Sequence, residues 1–213
     1  MKILIAIPCM DSMPVEFVKS LLYLEKLGAS VAFHPNSLVY DSRNLLSLTA
    51  IENGFDRVMW FDSDMAFNPD TLRILSEDMD IIPDADMVTG LYVKRRYPII
   101  PVIYSQLEMP GKDANGKPTN NIKPYLDYPK DTVFLIKGCG FGCVMTSVKL
   151  LKHVWDTFGP AFAPLPWAGE DIAFCHRVNE LGYPIYCDSR VSCGHIGTNI
   201  FTDEMITGGV ANG

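Results

Sequence analysis

What this sequence lacks narrows the field before any motif is considered. It has no apolar stretch near the roughly 20 residues that cross a bilayer, so no membrane-spanning helix is expected. It has no basic block longer than Lys94-Arg95-Arg96, and its formal charge is -7, which disfavours binding along a nucleic-acid backbone. An acidic protein that handles anions needs local help from a metal, an arginine or a helix N-terminus. It has no internal repeat and no low-complexity tract. After the first predicted strand, Pro8-Cys9-Met10-Asp11-Ser12 lacks the glycine and lysine of a phosphate loop, which argues against a sugar-nucleotidyltransferase. The six cysteines include no pair at the two-residue spacing of zinc knuckles, although Cys139, Cys143, Cys187 and Cys193 remain a conceivable zinc set. Several lie in apolar runs, where reduced buried thiols are usual, and this implies a reducing, cytoplasmic setting.

What is present reads as an α/β chain. Met1-Lys2 followed by Ile3 to Ile7 superficially resembles a signal peptide, but the apolar run stops at Pro8 without a small-residue cleavage site, so it is assigned as a buried strand. A helix is predicted from Pro14 to Leu27 with Val15, Val18, Leu21 and Leu22 inward, then a strand over Ala29 to Phe33. A second helix from Asp41 to Asn53, with Leu45, Leu48 and Ile51 inward, leads to the strand Val58-Met59-Trp60-Phe61. Four consecutive large apolar residues without alternation suit a strand buried on both faces of a mainly parallel sheet. A helix follows Pro69, with Leu72, Leu75 and Met79 inward, then a strand over Asp86 to Tyr92. Residues 94–130 are rich in proline and polar turns and read as a hairpin and long loop at one edge. A strand over Asp131 to Ile136 leads to Gly138, Gly140 and Gly142, which permit either a close approach to a ligand or a tight bulge. A helix is predicted from Ser147 to Phe158. The loop from Pro160 to Trp167 forms an apolar rim.

Two acids, Asp62 and Asp64, stand where the strand Val58 to Phe61 leaves the sheet. In extended chain they point the same way, and two carboxylates with one direction repel unless a cation lies between them. Open α/β sheets bind ligands at the carboxyl ends of their strands, and a hard divalent cation suits oxygen ligands. Equally, such acids serve in ordinary turns. Far downstream, Glu170 and Asp171 open a helix running to Gly182. Asp171, Cys175 and Val178 share its inward face, and Glu170 is rotated roughly 100° away, given 3.6 residues per turn. A carboxylate on that face is a candidate general base. Arg177, on the same helix, reads as a solvated surface cation. Tyr183 to Tyr186 and Val191 to Gly197 are predicted as two short strands, the second bearing His195 between glycines. An imidazole joined to oxygen ligands suits manganese or magnesium.

The order Arg43-Asn44, Asp62-Ser63-Asp64, a glycine-rich turn, Glu170-Asp171 and His195 resembles the nucleotide-sugar-dependent glycosyltransferases of the GT-A fold, particularly family 2-like members, over Ile3 to about Gly197. The resemblance implies one GT-A domain over residues 1–213, with a mainly parallel nucleotide-binding sheet, flanking helices and a small antiparallel extension on the acceptor side. It implies Mn2+ or Mg2+ at Asp64, Asp62 and His195, with Asp62 also reaching the donor ribose. Asp171 matches the base of inverting members, with Glu170 orienting hydroxyls. Gly138 and Gly140 match the loop against which the donor sugar lies, Arg43 a position near the nucleotide, and Pro8, Asp11 and His34 the grip on the base. His34-Pro35-Asn36-Ser37 replaces the acid-bearing segment that reads uracil in many members, though UDP-sugars remain the default donor. The acceptor, whether glycan, lipid-linked sugar, protein or small molecule, is not encoded in these motifs, and Trp167 and Tyr97 are candidates to line its site. Residues 198–213 are expected to form a mobile tail or lid. The competing readings are a sugar-nucleotidyltransferase, which would want the phosphate loop lacking after the first strand, and a non-catalytic nucleotide-sugar or carbohydrate module.

Overall fold

The computed structural model describes residues 1–112, 115–116 and 121–206. The chain opens with β1 (Ile3–Cys9), α1 (Val15–Tyr23), β2 (Ser30–Pro35), α2 (Val39–Glu52) and β3 (Arg57–Phe61). Pairing of β1 with both β2 and β3 is parallel, as short helical crossovers require. A turn then leads into β4 (Met65–Ala66), α3 (Thr71–Ile81) and β5 (Met87–Leu91). Next come β6 (Ile103–Leu107), β7 (Ile122–Pro124), β8 (Val133–Ile136), β9 (Gly138–Cys139) and β10 (Cys143–Ser147). The chain continues through α4 (Val148–Phe158), α5 (Glu170–Glu180), β11 (Ile185–Ser192), β12 (Gly194–Ile196) and β13 (Ile200–Phe201).

Seven strands form the central sheet in the order β2-β1-β3-β10-β5-β11-β8. Five of the seven run in one direction, with β10 and β8 reversed, so the sheet is mainly parallel, as expected. Within the central sheet, the reversed β10 is the strand that sequence reading missed. Val144, Met145 and Thr146 are fully buried between β3 and β5, and the Trp60 indole N–H donates to the Thr146 hydroxyl at 3.0 Å. Two three-stranded sheets complete the fold, β13-β12-β4 and β7-β6-β9, the latter giving the antiparallel hairpin expected within residues 94–130.

Several helical faces differ from expectation. On α1, Val15, Val18 and Leu22 are exposed, and Phe17 is the side chain driven into the core. That helix ends at Tyr23, earlier than the predicted Leu27. On α2, Leu45 is exposed while Ser42, Arg43, Leu46, Ser47 and Ala50 are buried. The stripe facing the sheet is therefore partly polar, which hydrophobic spacing does not reveal. In contrast α3 buries Leu72, Leu75 and Met79 as expected. Pro8 and Cys9, assigned to a turn, extend β1 and pair with His34 and Pro35. The first predicted strand near Cys187 extends as β11 to Ser192, and the second is divided between the end of β11 and β12, with Cys193 between them. All six cysteines are buried free thiols.

The start of the expected tail is anchored: β13 pairs with β12, and Phe201 is buried against Val93 and Ile99. The remainder, residues 207–213, lies outside the described residues. Among the described residues, no helix is long and apolar enough to cross a membrane.

Candidate functional site

The carboxyl ends of β1 and β3, the start of α2 and the N-terminus of α5 meet around a cleft of about 440 Å³. Its lining includes Pro8, Cys9, Ser37, Arg43, Asp62, Asp64, Arg95 and Glu170. Each acid arrives by a different route. After Phe61 the chain turns back, with the Met65 N–H donating to the Asp62 carbonyl at 3.2 Å. Because Asp62 and Asp64 occupy a turn and not extended chain, they take different partners, contrary to the expectation of one shared direction. Asp62 accepts from Arg43 at 2.7 Å, and Asp64 from Arg95 at 2.6 Å.

The pairing of β12 with β4 carries His195 to Asp64. His195 lies opposite Met65 in the ladder, and the Ile196 N–H donates to the Asp64 carbonyl at 2.7 Å. The imidazole Nε2 then lies 3.4 Å from Asp64 Oδ2. On the other side of the ring, Nδ1 lies 2.8 Å from the Val93 carbonyl. A carbonyl only accepts, so Nδ1 bears the proton and Nε2 is turned to Asp64, the orientation a metal-binding histidine needs. Burial lowers the His195 pKa, but Asp64 and the Val93 carbonyl outweigh it and the net shift is upward. Burial likewise pushes Asp64 up, yet His195 and Arg95 win and hold it below the usual carboxylate range.

Arg43 is the buried cation of the site. Its guanidinium lies 5.2 Å from the Phe141 ring centroid and 5.9 Å from that of Phe162, within a cluster of aromatic rings that includes Phe174. From there it reaches Asp62 at 2.7 Å and Glu170 at 3.6 Å. Burial opposes its charge, but Asp62, Glu170 and Asp171 together raise its pKa. Asp62 is nevertheless raised, first by burial and then by Asp64, with Arg43 only partly compensating.

On α5 the two acids are distributed otherwise than expected. Glu170, beside Arg43, lines the cleft, while Asp171 is half-buried next to that lining with Oδ1 accepting from the Ile172 N–H at 2.7 Å. Burial and the neighbouring charge of Glu170 raise Asp171 to about 6. Burial pushes up Tyr92 and Tyr104, with the negative charge of Asp62 and then Asp171 adding to it at Tyr92 and that of Asp171 at Tyr104. Arg177, read as a surface cation, is instead buried and donates to the Ala161 carbonyl at 3.1 Å, fixing the loop that precedes α5.

Other expected residues fall elsewhere. Asp11 is exposed outside the cleft lining, and the His34 ring pairs with the Ser42 hydroxyl at 3.2 Å. Pro8 does line the cleft. Gly138 and Gly140 are buried, and an added Cβ would meet Leu107 at 2.5 Å and the Tyr92 hydroxyl at 2.0 Å respectively. Their side-chain space is filled by side chains of the same molecule, so internal packing favours glycine there. Trp167 packs its ring edge against His176, and Tyr97 is exposed.

The donor chemistry supports a narrower metal set than expected. Each acid faces an arginine, but Asp62 faces the buried Arg43 while Asp64 faces the exposed Arg95 and is the acid that His195 approaches. Among the described residues, no group of three or more His, Cys, Asp or Glu side chains is arranged to hold an ion, which also removes the four-cysteine zinc set. Two protein ligands fit a hard divalent cation that draws its remaining ligands from substrate phosphates and water.

The sheet order and the likenesses that follow give the chain a GT-A-like α/β fold. No protein-family model matches the chain, and no curated protein matches its sequence. Among solved structures, the chain is similar to the protein A197 from STIV, with a TM-score of 0.63 at 18% identity over 92% of this chain and 86% of that one. It is also similar to GalNAc-T7 in a crystal structure with UDP, GalNAc and Mn2+. There the TM-score is 0.51 at 14% identity, over 90% of this chain and 37% of that one. At such identities the likeness establishes the fold.

Proposed function

We propose that the protein is a metal-dependent glycosyltransferase that moves a sugar from a nucleoside-diphosphate sugar, by default a UDP-sugar, to an acceptor hydroxyl with inversion. The observation that carries this reading is the approach of His195 to Asp64, 3.4 Å apart, at a cleft shared with Arg43 and Glu170. The GT-A-like fold supports it, as does the presence of UDP, GalNAc and Mn2+ in the GalNAc-T7 structure. Mn2+ or Mg2+ held by Asp64 and His195 would supply positive charge where the nucleoside diphosphate departs.

The chain's own groups divide the remaining work. Arg43 fixes Asp62 toward the donor ribose and keeps a positive charge beneath the leaving group. Pro8 borders the base, and Glu170 orients sugar hydroxyls. Asp171 takes the proton of the attacking hydroxyl. With its pKa at about 6 it is ionised at neutral pH yet basic enough to accept a proton. Six buried, free thiols suit a reducing, cytoplasmic setting.

The test is a panel of nucleotide sugars incubated with the protein and Mn2+, scored for nucleoside diphosphate release and thermal shift. One donor should be turned over, and Asp64→Asn should abolish it. Failure of every donor to be released or to raise the melting temperature would overturn the reading. A product retaining the donor's anomeric configuration would remove Asp171 from the role of base.

A further inference from the structure

Two arginines face the acids of the cleft, and they are held very differently. Arg43 is 2% exposed and locked against aromatic rings. Arg95 is 55% exposed, and among the described residues its ion pair is with Asp64. Its stem runs over Gly197, where an added Cβ would lie 3.6 Å from the Arg95 Cβ and Cδ. Its Nη1 contacts Asp64 Oδ2 at 2.6 Å, and this is the same oxygen that His195 Nε2 approaches at 3.4 Å. A cation shared by Asp64 and His195 needs that oxygen, so the guanidinium and the ion compete for one position.

We infer that Arg95 is an exchangeable counter-ion. It neutralises Asp64 in the metal-free protein, is displaced when a divalent cation takes Asp64 and His195, and then grips the diphosphate of the incoming ligand at the cleft mouth. The inference rests on the glycosyltransferase reading above and adds a diphosphate-positioning residue to it. The exposed side of the pair makes the exchange cheap, since such ion pairs contribute little in water. The released guanidinium meets an anion whose geometry it matches with paired donors.

The experiment measures Mn2+ binding without nucleotide, by the electron paramagnetic resonance of the free ion, and then UDP binding at saturating Mn2+ by calorimetry. Arg95→Ala should bind Mn2+ alone about two- to fivefold more tightly than the unaltered protein, because a competing ion pair is gone. The same variant should bind UDP with Mn2+ about tenfold more weakly. Arg95→Lys should return Mn2+ binding to the unaltered value and restore UDP binding in part. Arg95→Ala with unchanged or weaker Mn2+ binding, or with unchanged UDP binding, overturns the exchange. If the unaltered protein takes up neither Mn2+ nor UDP, the glycosyltransferase reading falls with it. If it takes up both and Arg95→Ala behaves identically, the exchange alone falls.

Discussion

At the cleft an arginine lies buried between two acids, whereas between α3 and β11 two acids lie buried beneath an arginine. Arg43 is 2% exposed while its partners Asp62 and Glu170 are 31% and 18% exposed. In the second cluster Asp78 and Asp188 are 6% and 0% exposed, and Arg190 above them is 47% exposed. Arg190 donates to Asp188 at 2.8 Å and to Asp78 at 2.7 Å, and its backbone N–H adds a further bond to Asp188. The same residue types thus serve two ends. With the cation inside, the acids keep unused acceptor capacity toward the cleft. With the acids inside, Asp188 and one oxygen of Asp78 turn to Arg190, the second Asp78 oxygen is buried without a hydrogen-bond partner, and the cluster ties β11 to α3.

Substitutions should separate the two clusters. The largest effect is expected at Asp171, next to the cleft cluster. Asp171→Asn should lower turnover about 100- to 10,000-fold while leaving UDP binding intact, checked by nucleoside diphosphate release and calorimetry. In the unaltered protein the rate should rise with pH through about 6 as Asp171 loses its proton, a dependence the variant should lack. Next is Arg43→Met, which strands Asp62 and Glu170 beside aromatic rings. Urea unfolding should show a loss of about 3–5 kcal/mol, with donor binding lost as well. Arg190→Met should cost about 1–3 kcal/mol, because its cation is half in water, and should leave uptake of UDP and Mn2+ unchanged. Equal damage to ligand binding by both arginine variants would erase the distinction between the clusters.

The smallest effect is one of slope. Burial, then a hydrogen bond and negative charge from Asp188, raise Asp78 to about 7. The folded state therefore holds this proton more tightly than the unfolded chain, whose aspartates titrate near about 4. Stability should fall as pH climbs from about 4 through 7. Asp78→Asn should flatten the upper part of that fall, leaving the portion from Asp171 that ends near 6. Urea midpoints measured across this range check it.

The contrast also marks what could be read from the sequence. The strand ending at Phe61, the helix bearing Glu170 and Asp171, and the inward face of α3 announce themselves through apolar runs and capping acids. The face of α2 does not, because its buried stripe contains Ser42, Arg43 and Ser47, residues that hydrophobic periodicity assigns to solvent. Burial of Arg43 depends on acids and aromatic rings from distant segments, Asp62, Phe141, Phe162 and Glu170, so no local pattern discloses it. The reversed β10 is hidden by its flanks, because it runs from a glycine-rich turn straight into a helix whose cap, Ser147, is its own last residue. The divergence of Asp62 and Asp64 was hidden because extended spacing was assumed across what is a turn. For Arg177, a position late in an amphipathic helix looked solvent-facing, and the preceding loop folds over it.

The ladder between β12 and β4 has a bearing on biosynthesis. Asp64, in the turn after β3, leaves the ribosome well before His195 and the strand β12 that delivers it. Until residue 195 has emerged, a nascent chain can assemble part of the sheet but not the Asp64–His195 pair. The meeting of Asp64 and His195 therefore waits on synthesis of every element from α3 to β11.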